Sequence, residues 1–388
     1  MLRFGLDFGT SNSALAVRDG AGVRVLPLDP VAGETMPTVL YIRRDGTASV
    51  GRPAIERFLR DNAERGPIRR QFRSLGVRVA STDTEQPTVE AHILTDVDSP
   101  GRFFQSLKTF LGDPLLRPTS VFGDAKGLAD LIAIFIERVR ARARELTGTL
   151  PAEMTIGRPV EFVGGTAVES RALGRLEEAA RAAGLRAVRF EYEPLAAARA
   201  AGVAEGDTLV FDFGGGTLDL CVARRSGERI AILAKAGADV GGDRCTQLLI
   251  DGAVGPHLGT RAEWGPKRLA LPRFVLNAIG DWRALSALNE KPLLDSLDEL
   301  VRAGAPRREV AALRSAIELQ LGYEIFAAVD AAKCELSAAN RALLTFHRGE
   351  VDLDALVTRA RFEARIAPLL RRIDALLDEA LARAGVAA

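Results

Sequence analysis

Two stretches of the chain, "LDFGTSNS" at 6–13 and "FDFGGGTLD" at 211–219, share one arrangement. In each, an aspartate stands two residues before a glycine, and hydroxyl side chains follow. Glycine has no Cβ, so its backbone can bring N–H groups against a ligand. Consecutive N–H groups in such a turn form a nest for an anion. Asp7 and Asp212 add two carboxylates, the usual means of holding Mg²⁺, largely through water, beside a polyphosphate. Thr10, Ser11, Asn12 and Thr217 add hydroxyl or amide donors for phosphate oxygens. One glycine run between strands reads equally well as a plain hairpin or bulge. It is the repetition of the whole pattern about 205 residues apart that favours a clamp.

The elements around these turns narrow the chemistry. Leu2, Phe4 and Leu6 alternate before the first turn, and Ala14, Leu15 and Val17 resume a strand after it. The second turn also joins two strands. A strand–turn–strand setting excludes a Walker A loop, and no G-K-[ST] is present. It equally excludes the dinucleotide fingerprint, because Leu218 and Asp219 follow where a third glycine should open a helix.

Further strands are expected at "GVRVLPLD" and "TVLYIRRDGTASVG", with a turn at Asp45-Gly46. The polar stretch "STDTEQPTVEAHILTDVDSPG" suits a hairpin or loop. "GLADLIAIFIERVRARARELTG" has helical spacing and a glycine stop at Gly148. "PAEMTIGRPVEF" reads as a strand. "TAVESRALGRLEEAARAAG" reads as a helix with Thr166 as N-cap and Glu169 closing a capping box. "RAVRFEYEP" is a strand and "PLAAARAAG" a helix. Residues 241 to about 350 read as helix-rich, with one long helix over "REVAALRSAIELQLGYEIFAAVDAAKCELSA". The last 33 residues read as one or two helices.

A chain of 388 residues, 47% hydrophobic and 27% charged, can bury more than one core. Lys plus Arg is 52 against Asp plus Glu 51. That balance lacks the basic field nucleic acid demands. Cys221, Cys245 and Cys334 are far apart and form no zinc-type spacing, as expected of reduced thiols in a cytoplasmic protein. No apolar run reaches the roughly 18 residues of a membrane helix, and no signal peptide is evident. The three histidines are scattered and suit structural or exposed positions.

With "EYEPLAAARAAG" as a connecting motif, the two turns resemble the phosphate motifs of the actin-like ATPase superfamily. Within it the sequence resembles the heat-shock protein 70 family. "EPLAAA" at 193–198, "GGD" at 241–243, "AAKCELS" at 331–337, "MPTVLYI" and "VGRPAIER" carry that likeness over nearly the whole chain. Phe8, Phe213 and the "LPRFVLNAIGDWRAL" stretch point to a short, divergent bacterial branch. The resemblance implies an α/β fold of two duplicated ribonuclease-H-like lobes with inserted subdomains. Lobe I would span 1–204, with an insertion at about 46–112. Lobe II would span 205–388, with an insertion at about 241–350.

The resemblance also assigns roles. "SLKTFLG" matches the family's lysine motif, making Lys108 the group that reaches the β- and γ-phosphates and the attacking water. Glu193 fills the position of the glutamate that orders metal and water. Lys108, Glu193, Asp212 and Thr217 form the implied catalytic set. Asp7, Gly9, Thr10, Ser11, Asn12, Gly214, Gly215, Gly216, Gly241 and Gly242 would hold the phosphates, and Asp7 and Asp212 the Mg²⁺. Asp330, Lys333 and Ser337 lie in the segment resembling the adenosine-contact helix, on one helix face. Pro159 and Arg171 match a family relay to the lobe surface; a plain turn and a helix-surface residue are the alternatives.

Two family features are not met. The late strand with its GG[ST]-x-x-P motif would begin where the sequence given ends at Ala388; either that sequence is truncated or the element is lacking, and without it the adenosine side is incomplete and a sheet edge is open to self-association. Nor is there a β-rich peptide-binding domain, a lid or an interdomain linker, so this chain alone is not expected to clamp peptides. The "TRAEWGPKRLALPRFVLNAIGDWRAL" stretch is unlike the family's exchange-factor-facing part; its apolar residues read as core or as a partner surface. The expected function is an ATP- and ADP-binding, Mg²⁺-dependent ATPase acting as a chaperone-like nucleotide switch. Its expected partners are nucleotide and a protein client or co-chaperone, with no nucleic acid and no membrane. The alternative is a non-hydrolysing actin-like scaffold or regulator. A filament-former or a sugar kinase is less well supported, the latter for want of a sugar-binding Asp/Asn cluster.

Overall fold

The structure is a computed structural model that describes residues 2–29, 31, 33–80, 88–96, 98–159, 162, 168–202, 204–227 and 229–386. The chain is mixed α/β and packs as two compact units. The first comprises Met1–Phe58, Gly101–Cys245 and Glu363–Ala388; the second comprises Leu59–Pro100 and Thr246–Phe362. This partition by packing is distinct from the lobes proposed from chain duplication. Both glycine-bearing turns lie in the first unit.

In the first unit, strand Arg3–Phe8 lies inside a mixed sheet. It pairs antiparallel with Asn12–Asp19 and parallel with Glu153–Arg158, which in turn pairs with Ala187–Tyr192. Strand geometry points alternate side chains to opposite faces. Phe4, Leu6 and Phe8 are therefore buried, while Arg3 and Asp7 reach solvent. Helix Leu128–Thr147 covers that apolar face with Leu131, Ile132, Phe135, Ile136 and Val139, residues three and four apart. The rings of Phe8 and Phe135 stand 5.5 Å apart. Gly148, at φ 73°, ends the helix in the left-handed conformation, and its N–H donates to the Arg144 carbonyl.

A second, three-stranded sheet runs Gly206–Phe213, Leu218–Ser226, Arg229–Ala238, all antiparallel. Leu218, Leu220 and Val222 pack with Ile373 and Ala380 of helix Arg359–Ala384. The remaining expectations for this unit largely hold. Strands occupy Gly22–Leu26, Val39–Arg43 and Ala48–Val50, and helices Glu169–Ala182 and Glu193–Ala200 follow their strands. Thr166 lies outside the described residues, but the expected capping box does not form: Val168 is the N-cap without a side-chain bond, and Glu169, the first helical residue, turns to Arg158.

In the second unit, two expectations need correcting. The long helix is two, Arg307–Glu318 and Gly322–Ala338. Between them Gln320 takes a left-handed φ of 57°. Gly322 then packs so closely on Trp282 that a Cβ would lie 2.9 Å from its carbonyl oxygen. Burial against Trp282 thus overrides a continuous helical pattern. After the second helix comes an unanticipated hairpin, Arg341–Arg348 with Val351–Thr358. Its alternating Ala342, Leu344, Phe346 and Val351, Leu353, Val357 are buried in the unit's core with Leu313, Ile317 and Val329. The terminal helical segment consequently starts only at Arg359 and forms one helix. Of the polar 81–101 stretch, residues 81–87 and 97 lie outside the described residues; Thr88–Asp96 is a strand paired with Arg70–Ala80. The backbone of Ile68 donates to the Asn289 carbonyl at 2.5 Å, joining the unit's two chain segments.

Candidate functional site

The two turns meet inside the first unit. A Cβ on Gly216 would come within 3.1 Å of Thr10 Cγ2, and one on Gly215 within 2.6 Å of Ser11 Oγ. At residue 215 a Cβ would force Ser11 to move, and at residue 216 Thr10 would have to give way by a few tenths of an ångström. Ser11 Oγ donates to Asp243 Oδ2 at 3.0 Å. Asp243 belongs to the third piece of the cradle, the Gly241-Gly242-Asp243 turn that opens helix Gly242–Leu249. The N–H groups of Gly242 and Asp243 donate to the carbonyls of Gly214 and Gly215, at 3.0 and 2.8 Å. Gly241 rests directly on the Gly215 carbonyl, where a Cβ would overlap it. In the first turn Gly9 rests likewise on the Asn12 carbonyl.

The backbone donors of the cradle fall into two groups. The Gly214 N–H is taken by the Thr217 carbonyl at 2.9 Å. Among the described residues, the N–H groups of Gly215 and Gly216 have no backbone acceptor. Those two therefore remain available for an anion, while Gly214, Gly241 and Gly242 shape the loop.

The charged residues converge beside these turns. Lys108 is nearly buried on a single 3₁₀ turn, Leu107–Phe110, and its Nζ meets Glu193 Oε1 at 2.6 Å. Glu193 opens helix Glu193–Ala200. Its Cγ would lie 2.9 Å from a Cβ on Gly157, so residue 157 must stay small. Asp7 reaches solvent, yet protein crowds around it. Loss of bulk water, helped by the charges of Glu193 and Asp212 and opposed by Lys108, pushes its carboxyl up to about 6. Asp212 is half-buried and also raised, first by burial, then by Glu193, again against Lys108.

Three carboxylates therefore face one ammonium. A bound cation would relieve that repulsion. Among the described residues no group of three or more His, Cys, Asp or Glu is placed to hold a metal directly. Carboxylates such as those of Asp7 and Asp212 suit a hard ion, and the glycine cradle with its two open N–H groups suits phosphate.

Asp330, Lys333 and Ser337 belong to the second unit. Lys333 Nζ meets Asp330 Oδ1 at 2.5 Å and Thr246 Oγ1 at 2.9 Å, and Thr246 donates to Asp330 at 2.8 Å. Ser337 is exposed one turn along and stands apart from this cluster; its carbonyl accepts from Arg359. Around Pro159, the preceding Arg158 is buried, and Arg171 donates to the Gly112 carbonyl at 3.3 Å.

Three residues escaped the sequence reading: Asp243, Gly157 and Thr246. Asp243 had a signal, since it completes the quoted "GGD". The other two had none, because only tertiary packing puts Gly157 under Glu193 and Thr246 beside Asp330.

No helix among the described residues is long and apolar enough to cross a membrane. The Hsp70 protein family model matches residues 129–261. Chaperone protein HscA of Pectobacterium carotovorum is 28% identical over 380 residues, covering 96% of this chain and 47% of that protein. HscA of Salmonella typhimurium is 30% identical over 255 residues, or 64% of this chain and 37% of the relative. Chaperone protein DnaK 3 of a Synechococcus species is 28% identical over 252 residues, 64% and 35% of the two chains. The chain thus spans about half the length, or less, of the curated relatives it matches. With the two matched turns, these similarities make the chain similar to the heat-shock protein 70 family, whose fold is that of the actin-like ATPases.

Proposed function

We propose that this chain is an ATP- and ADP-binding, Mg²⁺-dependent ATPase of the heat-shock protein 70 type, with lobes at 1–204 and 205–388, working as a nucleotide switch for a protein client or co-chaperone. The observation that carries the proposal is the Lys108–Glu193 ion pair, set beside Asp7, Asp212 and the glycine cradle within one packed unit. The names of the similar proteins, each a chaperone, support the same reading.

The reaction is phosphoryl transfer to water. A water oxygen bonds to the terminal phosphorus, the bond from that phosphorus to the ADP oxygen breaks, and the water's proton passes through the released phosphate to solvent. Such a reaction needs placement and charge compensation more than covalent chemistry. The N–H groups of Gly215 and Gly216, with the hydroxyls of Thr10 and Thr217 and the Asn12 amide, hold phosphate oxygens, and Ser11 joins them by turning its proton from Asp243. Lys108 sets positive charge at the terminal phosphate. Glu193, fixed by Lys108, orients the water and accepts its hydrogen bond. Magnesium, when bound through Asp7 and Asp212, supplies further neutralisation of the phosphate charge.

The test is binding and turnover of Mg·ATP by the wild type, Lys108→Ala and Asp212→Asn. Lys108→Ala should retain binding and lose about 100-fold or more in turnover. Asp212→Asn should weaken Mg-dependent binding by about tenfold or more. Wild-type binding without any turnover would instead establish the non-hydrolysing regulator, and no nucleotide binding at all would sink both readings.

A further inference from the structure

We infer that helix Glu169–Ala182 serves as a common mount for both members of the Lys108–Glu193 pair, with Arg175 and Arg158 as positioning residues. The inference rests on the proposed importance of that pair, but its geometry stands independently.

The lysine side needs support. The 3₁₀ turn carrying Lys108 is entered through Ser106, held at a left-handed φ of 54°. A non-glycine residue there is strained and persists only when its surroundings hold it. Carbonyls crowd the end of the turn, where that of Phe110 also accepts from the Asp113 N–H at 3.2 Å. Arg175 Nη1 donates to three of them, Phe110 at 3.2 Å, Leu111 at 2.8 Å and Asp113 at 2.9 Å. Arg171, one turn earlier on the same helix, takes the Gly112 carbonyl. Cation-assisted bonds to four successive carbonyls fix the backbone immediately after Lys108.

The glutamate side is tied to the same helix. Tyr192, the residue before Glu193, pairs in the sheet with Arg158. The Arg158 guanidinium lies 4.4 Å from the Tyr192 ring centroid and 2.7 Å from Glu169, the first residue of the helix. Arg158 is only 6% exposed. The contact is an ion pair without hydrogen-bond geometry, since Arg158 Nη2 has no hydrogen-bond partner, but breaking it would leave the buried guanidinium uncompensated. One helix thus grips the backbone after Lys108 directly and reaches the strand before Glu193 through the Arg158 side chain, at either end of a 2.6 Å ion pair. Long side chains alone do not hold such a distance, and a shift of about 1 Å at a reacting group costs about 100-fold in rate.

The test reads Lys108 without nucleotide. The protein is acylated briefly with an amine-reactive reagent, and each lysine's modification is followed by mass spectrometry. Exposed Lys291 serves as the internal standard. Arg175→Ala and Arg158→Ala should each raise Lys108 reactivity by about tenfold relative to Lys291, as the closed pair opens more often. Hydrogen exchange over 107–113 should quicken with Arg175→Ala. An unchanged Lys108 rate in both folded variants would overturn the mount. Should either variant fail to fold, Arg175→Lys and Arg158→Lys replace them under the same two outcomes. Because acylation needs no ATP, absent turnover in the wild type would sink the ATPase reading and leave this one standing. Where both hold, the arginine variants lose kcat while keeping ATP affinity, a split that mere loss of fold does not produce.

Discussion

Phe8 and Phe213 hold the same place in two matching turns, yet Phe8 is fully buried and Phe213 is 39% exposed. The strands leading into the turns differ in the same way. Arg3–Phe8 buries Phe4, Leu6 and Phe8, whereas Gly206–Phe213 exposes Leu209, Phe211 and Phe213. Neighbours explain the contrast. The first strand is flanked on both sides within its sheet, and helix Leu128–Thr147 covers it. The second, among the described residues, is an edge strand paired only with Leu218–Ser226. Phe211 and Phe213 stack on each other, with ring centroids 6.1 Å apart. A local sequence signal therefore sets the turn and its chemistry, while burial depends on what the fold places alongside.

The largest expected effect tests that contrast directly. Phe8→Ala empties a closed core and should cost about 3–5 kcal/mol in urea unfolding. Phe213→Ala removes a ring already in contact with water and should cost less than about 1 kcal/mol. Equal losses would mean that the second strand is covered in solution, and the comparison would fail.

The same contrast marks what was legible in the sequence. The aspartate–glycine–hydroxyl spacing is local, and so were both hairpins, the Gly148 helix stop and the site residues next to the glycines. Lys108 and Glu193 were reached only through family resemblance; 85 residues separate them, and no periodicity relates them. Gly157 and Thr246 were invisible because their importance is a packing fact. The hairpin Arg341–Arg348 with Val351–Thr358 did carry a signal, an apolar alternation around Gly349-Glu350, which the helix-rich reading of its surroundings masked. The break at Gln320 was hidden for the opposite reason, since its local pattern suits a helix and only Trp282 contradicts it.

A smaller effect should separate glycines that shape the cradle from those with room to spare. A Cβ at residue 241 would collide with the Gly215 carbonyl and lie 2.7 Å from the Gly216 nitrogen, all backbone. Nothing flexible can yield, so Gly241→Ala should cost about 2–3 kcal/mol in thermal or urea unfolding and displace the Gly215 and Gly216 N–H groups. At Gly214 the nearest atom, the Thr217 carbonyl oxygen, is 3.4 Å away. Gly214→Ala should therefore shift stability by less than about 1 kcal/mol in either direction. A reversal of the two would show that the second turn is not held by the "GGD" segment.

The smallest effect concerns whether the turns act as one unit. Ser11 belongs to the first turn, and Asp243 follows the glycines that brace the second, so their 3.0 Å bond is a side-chain tie from one half of the cradle to the other. It is partly buried, and neutral hydroxyls bonded to a carboxylate contribute about 1 kcal/mol. Ser11→Ala should lower stability by that amount, and so should Asp243→Ala. Their double mutant decides the issue. If the tie joins the halves, the two losses overlap, with a coupling of about 1 kcal/mol. If the losses simply add, each half is held by its own backbone contacts, and the resemblance between the turns reflects two separately stable loops that happen to face one another.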